Sequence, residues 1–229
     1  MLLFLGISSY HFGQSQLVDL NFKHKLFKII SYMAWGCFIF SSLFYFGSNE
    51  LEQLYERYPD FRLFSRILAA PLNGVLALIS CLFIVTSLIW LRSKGLLKTK
   101  RLILELAVIA ISAISFYHLS LIISFLLYFC IMHSTRVLLE EKAHLSQLGV
   151  AQHWKDFLKL LTPVTVLSLL GIFFIIWLSH IEVIACSPMY LLVIVTSMIT
   201  LPHVIVMEGF YLTRSQPVTS VFETTRSGE

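Results

Sequence analysis

The stretch Leu102–Glu140 reads LILELAVIAISAISFYHLSLIISFLLYFCIMHSTRVLLE, and Glu105, Arg136 and Glu140 are its only charged residues. As one α-helix its 39 residues would run about 58 Å at 1.5 Å per residue. That is nearly twice the roughly 30 Å hydrocarbon core of a bilayer. The run must therefore turn over at a membrane surface, and the polar cluster Ser112, Ser115, Tyr117, His118 and Ser120 marks the place. Read as a hairpin, it supplies two spans. Outward from it lie Leu26–Phe46, Ala69–Leu91, Leu161–Ser179 and Pro188–Tyr211, each long enough to cross, and an N-terminal apolar piece, Met1–Gly13. The expected fold is all-α: a polytopic membrane helix bundle of six full transmembrane helices plus a partial N-terminal one.

Composition agrees. Of 229 residues 57% are hydrophobic and 13% charged, with a mean hydropathy of +0.81, whereas soluble domains carry about a quarter charged residues. The net charge of +4 is too small to indicate a nucleic-acid partner and of the kind that orients membrane loops. With the 102–140 run as a hairpin, every Lys and Arg falls on one side except Arg57, Arg62 and Arg66, which Glu50, Glu52, Glu56 and Asp60 dilute. The positive-inside rule then gives a multi-pass protein of the cell (inner) membrane with a cytoplasmic C-terminus.

Residues 1–212 are expected to form a single transmembrane domain, and 213–229 a disordered cytoplasmic tail, since Ser215–Glu229 has too little apolar content to pack. Met1–Phe12 lacks the basic start and small-residue cleavage site of a signal peptide and reads as the last turns of a span whose beginning is absent. Glu141–Lys159 reads as an interfacial amphipathic connection. Cys37, Cys81, Cys130 and Cys186 stand singly, as small hydrophobes rather than a disulfide or zinc framework.

Ionisable side chains inside a bilayer are costly, so each is a functional candidate: His11, Glu105, His133 and His203. On this topology the three histidines come from three helices and lie at similar depth in the inner half of the membrane. Neutral imidazoles on several helices of a bundle can share an iron, copper or zinc ion and leave open positions for a substrate or dioxygen. The alternative is that each is an interhelical hydrogen-bond partner. Gly13 lets another backbone approach, Gln14 is placed to hydrogen-bond a ligating imidazole, and Glu208 to orient one with its carboxylate. Pro202 is expected to kink the last helix beside His203. His118 and His180 belong to the opposite side, and His24, His144 and His153 to loops. No P-loop, GxGxxG, GxSxG or HExxH is present, nor the many-histidine boxes of membrane di-iron desaturases.

Three blocks, Ser8-Ser9-Tyr10-His11-Phe12-Gly13, Tyr128-Phe129-Cys130-Ile131-Met132-His133-Ser134-Thr135-Arg136 and Leu201-Pro202-His203-Val204-Ile205-Val206, resemble SxYHFG, YFxxWHSxRH and LPHxxV of the Brp/Blh family of membrane β-carotene dioxygenases. Their order and rough spacing agree from residue 1 to about 211. The resemblance implies central (15,15') oxidative cleavage of β-carotene by dioxygen into two retinal at non-haem ferrous iron, with the retinal serving a rhodopsin. It puts His11 and His133 at iron-ligand positions and makes them the catalytic pair. His203 falls in a family motif and completes the candidate metal set of His11, His133 and His203. The family's second block ends in another ligand histidine, where this chain has Val137, and a further one belongs to an earlier helix. Glu140, seven residues after His133, is a candidate substitute. Two other readings stand beside the dioxygenase: a non-catalytic relative that binds carotenoid or retinal and assists rhodopsin assembly, and a small transporter or structural protein.

Overall fold

The computed structural model describes residues 2–20, 22–181, 187, 190–191, 193–197, 203–205 and 207–209. Every regular element among them is helical: α1 (Leu2–Leu17), α2 (Lys25–Phe46), α3 (Ser48–Arg57), a 3-10 turn (Phe61–Phe64), α4 (Ala70–Ser93), α5 (Thr99–His118), α6 (Leu121–Leu126), a π-helical turn (Leu127–His133), α7 (Ser134–Gln147) and α8 (Trp154–His180). The described residues from 190 to 209 are also helical. Five of the described helices are long and apolar enough to cross a bilayer: α2, α4, α5, the continuous rod from Leu121 to Gln147, and α8. The expected sixth span, Pro188–Tyr211, lies partly outside the described residues, as do Cys186, Pro202 and the tail 213–229. The N-terminal piece is a 16-residue helix.

The long apolar run does fold back, and the break falls between His118 and Leu121. A bend here would orphan the first amide of α6. Both oxygens of the Glu50 carboxylate accept from the Leu121 N–H at 3.0 Å, so a residue of α3 caps a helix 71 positions away. Ser124 Oγ closes the turn by donating to the Ser115 carbonyl at 3.0 Å.

The expected interfacial connection Glu141–Lys159 links α7 to α8. It consists of the end of α7, a short loop and the start of α8, with the Lys142 ammonium 5.4 Å from the Trp154 ring centroid.

α2 is the hub, packing most heavily on α1 and α4 and touching α3, α5 and α6. It comes close to α1 because neither helix has a side chain at the crossing: a Cβ on Gly13 would fall on the Tyr32 carbonyl, and one on Gly36 on the Ser9 backbone. Small residues permit such backbone approach between membrane helices. The outer faces are apolar and exposed, as with Leu78, Leu82, Leu167 and Phe173, a surface that lipid solvates and water would not. The interior is inverted. Ser8, Ser9, His11, Gln14, Ser15 and Gln16 of α1 are all buried, so the short first helix brings a polar stripe into the centre of the bundle.

At the end of the bundle that carries Arg57 and Arg62, α3 and the 3-10 turn form a lid. Leu51, Phe61, Phe64 and Leu68 pack together beneath it. Asp60 anchors it, its carboxylate accepting from the Phe61 N–H at 3.0 Å and the Ser187 N–H at 2.8 Å. Burial pushes the Asp60 carboxyl up, but these bonds outweigh it and hold the group below its usual range.

Candidate functional site

His11, Gln14 and Ser15 share one face of α1 by their i, i+3, i+4 spacing. His11 is 1% exposed. The imidazole of His133 lies beside it with ring centroids 5.3 Å apart, and that of His203 on another side, also at 5.3 Å. Both pairs meet edge to face, at 79° and 88°. The three histidines that the sequence puts at one depth are thus neighbours around His11, with His203 at the exposed edge of the cluster.

His133 arrives at the end of the π-helical turn Leu127–His133. One inserted residue in a helix re-aims the side chains that follow it, and such turns recur at functional sites. The widened turn is held by hydroxyls that reach five residues back: Ser134 Oγ donates to the Phe129 carbonyl at 2.8 Å and Thr135 Oγ1 to the Cys130 carbonyl at 3.4 Å. Its aromatic residues then form a ladder. Phe125 stacks on Phe129 at 5.4 Å, and Phe129 on His133 at 5.7 Å. Phe12 also lies 4.5 Å from the same imidazole, tilted to it at 52°. Two phenylalanines thus lie against the His133 ring on adjacent sides, their own centroids 6.1 Å apart, and its Nδ1 lies 3.1 Å from Ser15 Oγ.

Both nitrogens of His11 are buried without a hydrogen-bond partner among the described residues, as are Ser8 Oγ and Gln14 Oε1. An unmet buried polar atom costs about 1–3 kcal/mol, and native interiors rarely keep one without a reason. Imidazole nitrogens are good ligands for a divalent transition metal, so a metal on His11 would satisfy a ring that the described residues leave without a bond. The rings meet by their edges rather than by aiming nitrogens at one point. Among the described residues no three His, Cys, Asp or Glu side chains form a ready-made coordination set. The donor set suits a metal, and ring rotation would be needed to close it.

Gln14 and Glu208, expected to support the imidazoles, bond each other instead: Gln14 Nε2 donates to the Glu208 carboxylate at 2.5 Å and ties α1 to the last helix. Val137 is 6% exposed and packs with Met207 against Val18. These three follow His133, His203 and His11 by one turn, one turn and two turns, so an apolar floor lies beyond the histidines. Beside α1, α5 and α7 is an ionic cluster. Arg101 pairs with Glu105 at 2.8 Å, and Arg136 with Asp19 at 2.8 Å and with Glu140 at 3.3 Å. Gln16 Nε2 donates to Glu105 at 2.7 Å. Glu140, the candidate substitute ligand, is paired with Arg136.

On the side towards the lid an apolar cavity of about 390 Å³ begins at Phe12 and Phe129, the two phenylalanines beside His133. It is bounded by Phe4 and Ser8 of α1, Phe40 and Leu43 of α2, and Phe125, and ends under Leu51, Phe61 and Leu68. The phenylalanines alone, 19 in the chain, do not disclose this slot, because lipid-facing Phe is common. Sequence reasoning also missed Ser15 and the Arg101 and Arg136 cluster. The available signals were spacing: Ser15 is i+4 from His11, and Arg101 with Glu105 and Arg136 with Glu140 are i, i+4 pairs.

No curated protein and no solved structure matches the chain. The family model described as beta-carotene 15,15'-dioxygenase matches residues 1–211, a range that takes in the whole bundle, from the polar stripe of α1 to the helix carrying His203 and Glu208. The chain therefore belongs to the β-carotene 15,15'-dioxygenase family.

Proposed function

We propose that this protein cleaves β-carotene at its central double bond with dioxygen, giving two molecules of retinal, at a ferrous ion held by His11, His133 and His203. The observation that carries the reading is His11: a buried imidazole whose two nitrogens have no partner among the described residues, flanked by two other histidines, near the foot of an apolar cavity. The reaction balances without a further reductant. One carbon–carbon double bond breaks, each half takes one oxygen atom, and no proton is left over. When bound, the iron supplies the redox chemistry that lets dioxygen react with a closed-shell polyene.

The protein's residues do the rest by position. Phe12 and Phe129 hold the polyene end of the cavity against the His133 ring, and the lid at Leu51, Phe61 and Leu68 closes its far end. Val18, Val137 and Met207 pack as an apolar cluster one to two turns beyond the histidines, which excludes water there and protects a reactive oxygen site from side reactions. By its charge asymmetry the protein lies in the cell membrane with the Lys- and Arg-rich end cytoplasmic, so retinal is released within the bilayer, where a rhodopsin would take it up.

The test is expression in a β-carotene-accumulating bacterial host, with retinal measured by chromatography beside His11→Ala and His133→Ala. Retinal from the parent alone supports the reading, and intact β-carotene in all three, with each protein present in the membrane, refutes it. One feature favours a second reading, a relative that binds carotenoid or retinal without turnover: Val137 stands sealed in an apolar cluster where the family resemblance places a ligand histidine. That reading predicts pigment co-purifying with the protein and no retinal formed.

A further inference from the structure

Ser15 is 1% exposed and sits one turn beyond His11 on α1. Its Oγ has two partners, the Phe12 carbonyl at 3.0 Å and His133 Nδ1 at 3.1 Å. A carbonyl only accepts, so the hydroxyl proton goes to Phe12, as it commonly does for a helical serine bonding back along its own helix. What the oxygen then turns towards His133 is a lone pair. Two lone pairs facing each other at 3.1 Å would repel, so the ring nitrogen there must carry the proton.

We propose that Ser15 is a positioning residue that fixes His133 as the Nδ1–H tautomer and leaves the Nε2 lone pair for the metal. The inference rests on the iron reading of the site. It follows from a general rule of metal sites, that the bond made by one imidazole nitrogen sets which nitrogen ligates and in what orientation. Here Phe12 and Phe129 lie against the ring, and the bond to Ser15 sets which of its nitrogens faces α1. The same helix thus supplies one ligand, His11, and the group that orients a second.

The test has two readouts on detergent-purified protein labelled with ¹⁵N in its histidine rings. In the metal-free protein the His133 signals, identified by their absence from His133→Ala, should show a protonated Nδ1 and an unprotonated Nε2. In Ser15→Ala that pattern should give way to the other tautomer or a mixture. Cobalt(II), titrated in as a spectroscopic probe for the ferrous site, should bind Ser15→Ala about 10–100-fold more weakly than the parent. A protonated Nε2 in the parent, or equal cobalt affinity in parent and Ser15→Ala, overturns the role given to Ser15 while leaving the metal site standing. No cobalt binding by the parent, with the tautomer as expected, overturns the metal reading and the purpose of Ser15 with it.

Discussion

The crossing of α1 and α2 makes Gly36 a sensitive position for function, although it touches no candidate ligand. In Gly36→Ala the added Cβ lands on the backbone of Ser9, which has no flexible end to swing away. Ordinary carbon–carbon contact is about 3.5–4.0 Å, so α1 must back off by about 1 Å or more. Overpacking of this kind costs about 1–3 kcal/mol, which a well-packed bundle survives. His11 and Ser15 ride on α1, however, and a displacement of about 1 Å in a reacting geometry is worth about 10²-fold in rate. The expectation is normal membrane abundance, a modestly lower unfolding temperature in detergent, and retinal formation down by about 10²-fold. Gly6→Ala is the matched control, the same chemical change on α1 itself, where the new Cβ meets nothing within 4 Å. There the better helix propensity of alanine applies and retinal formation should be unchanged. Parental retinal yield in Gly36→Ala, or equal damage in Gly6→Ala, would refute the argument.

Three other outcomes follow from the same geometry. Leu43→Trp, pushing an indole into the cavity, should lower retinal yield at least tenfold while cobalt affinity stays as in the parent, because the change is on the lid side of the histidines; a parallel loss of cobalt binding would contradict the separation of slot and site. Arg101→Met leaves the Glu105 carboxylate, 1% exposed, without its cation. Stranding a buried charge costs about 3–5 kcal/mol, so the unfolding temperature should drop sharply and recover in the double variant with Glu105→Leu. Asp60 has a depressed carboxyl in the folded protein, so its contribution to stability is complete above the unfolded value of about 3.9 and is lost as pH falls through the lower folded value. Unfolding temperature measured against pH should show that acid-side loss in the parent and lack it in Asp60→Asn.

How much of this was legible in the sequence depends on whether the deciding interaction is local. The hairpin in 102–140 is a matter of length against bilayer thickness, and the serines, Tyr117 and His118 mark the break to within a residue or two. That Glu50 caps the resulting α6 is not readable, because the contact spans 71 positions. The common depth of His11, His133 and His203 follows from counting residues to span ends, and Gly13 announces a close approach by lacking a side chain. The π-helical turn has no such signature: LYFCIM is equally good α-helix, and the extra residue is tolerated because Ser134 and Thr135 bond back to Phe129 and Cys130. The Gln14–Glu208 bond is not readable either, because it joins residues 194 positions apart.

The substitution Val137→His puts the most pressure on the metal reading. Val137 follows His133 by one turn and is enclosed by Met207 and Val18. A histidine there lines up with the ligand position that the family resemblance implies, but without metal it is a polar ring in an apolar floor, at a cost of about 1–3 kcal/mol. The metal-free variant should therefore unfold at a lower temperature than the parent. With metal the order should change. Whatever binds only the folded state stabilises it by RT ln(1 + [L]/Kd), about 2.7 kcal/mol at a hundredfold excess over Kd, and each tenfold gain in affinity adds about 1.4 kcal/mol. If the imidazole reaches the same ion as His133, the cobalt-induced rise in unfolding temperature should be larger in Val137→His than in the parent by more than the metal-free deficit. If the rise is no larger than the parent's, then position 137 does not look into the site, His133 ligates without a partner on its own helix, and the floor at Val137 is a water seal alone.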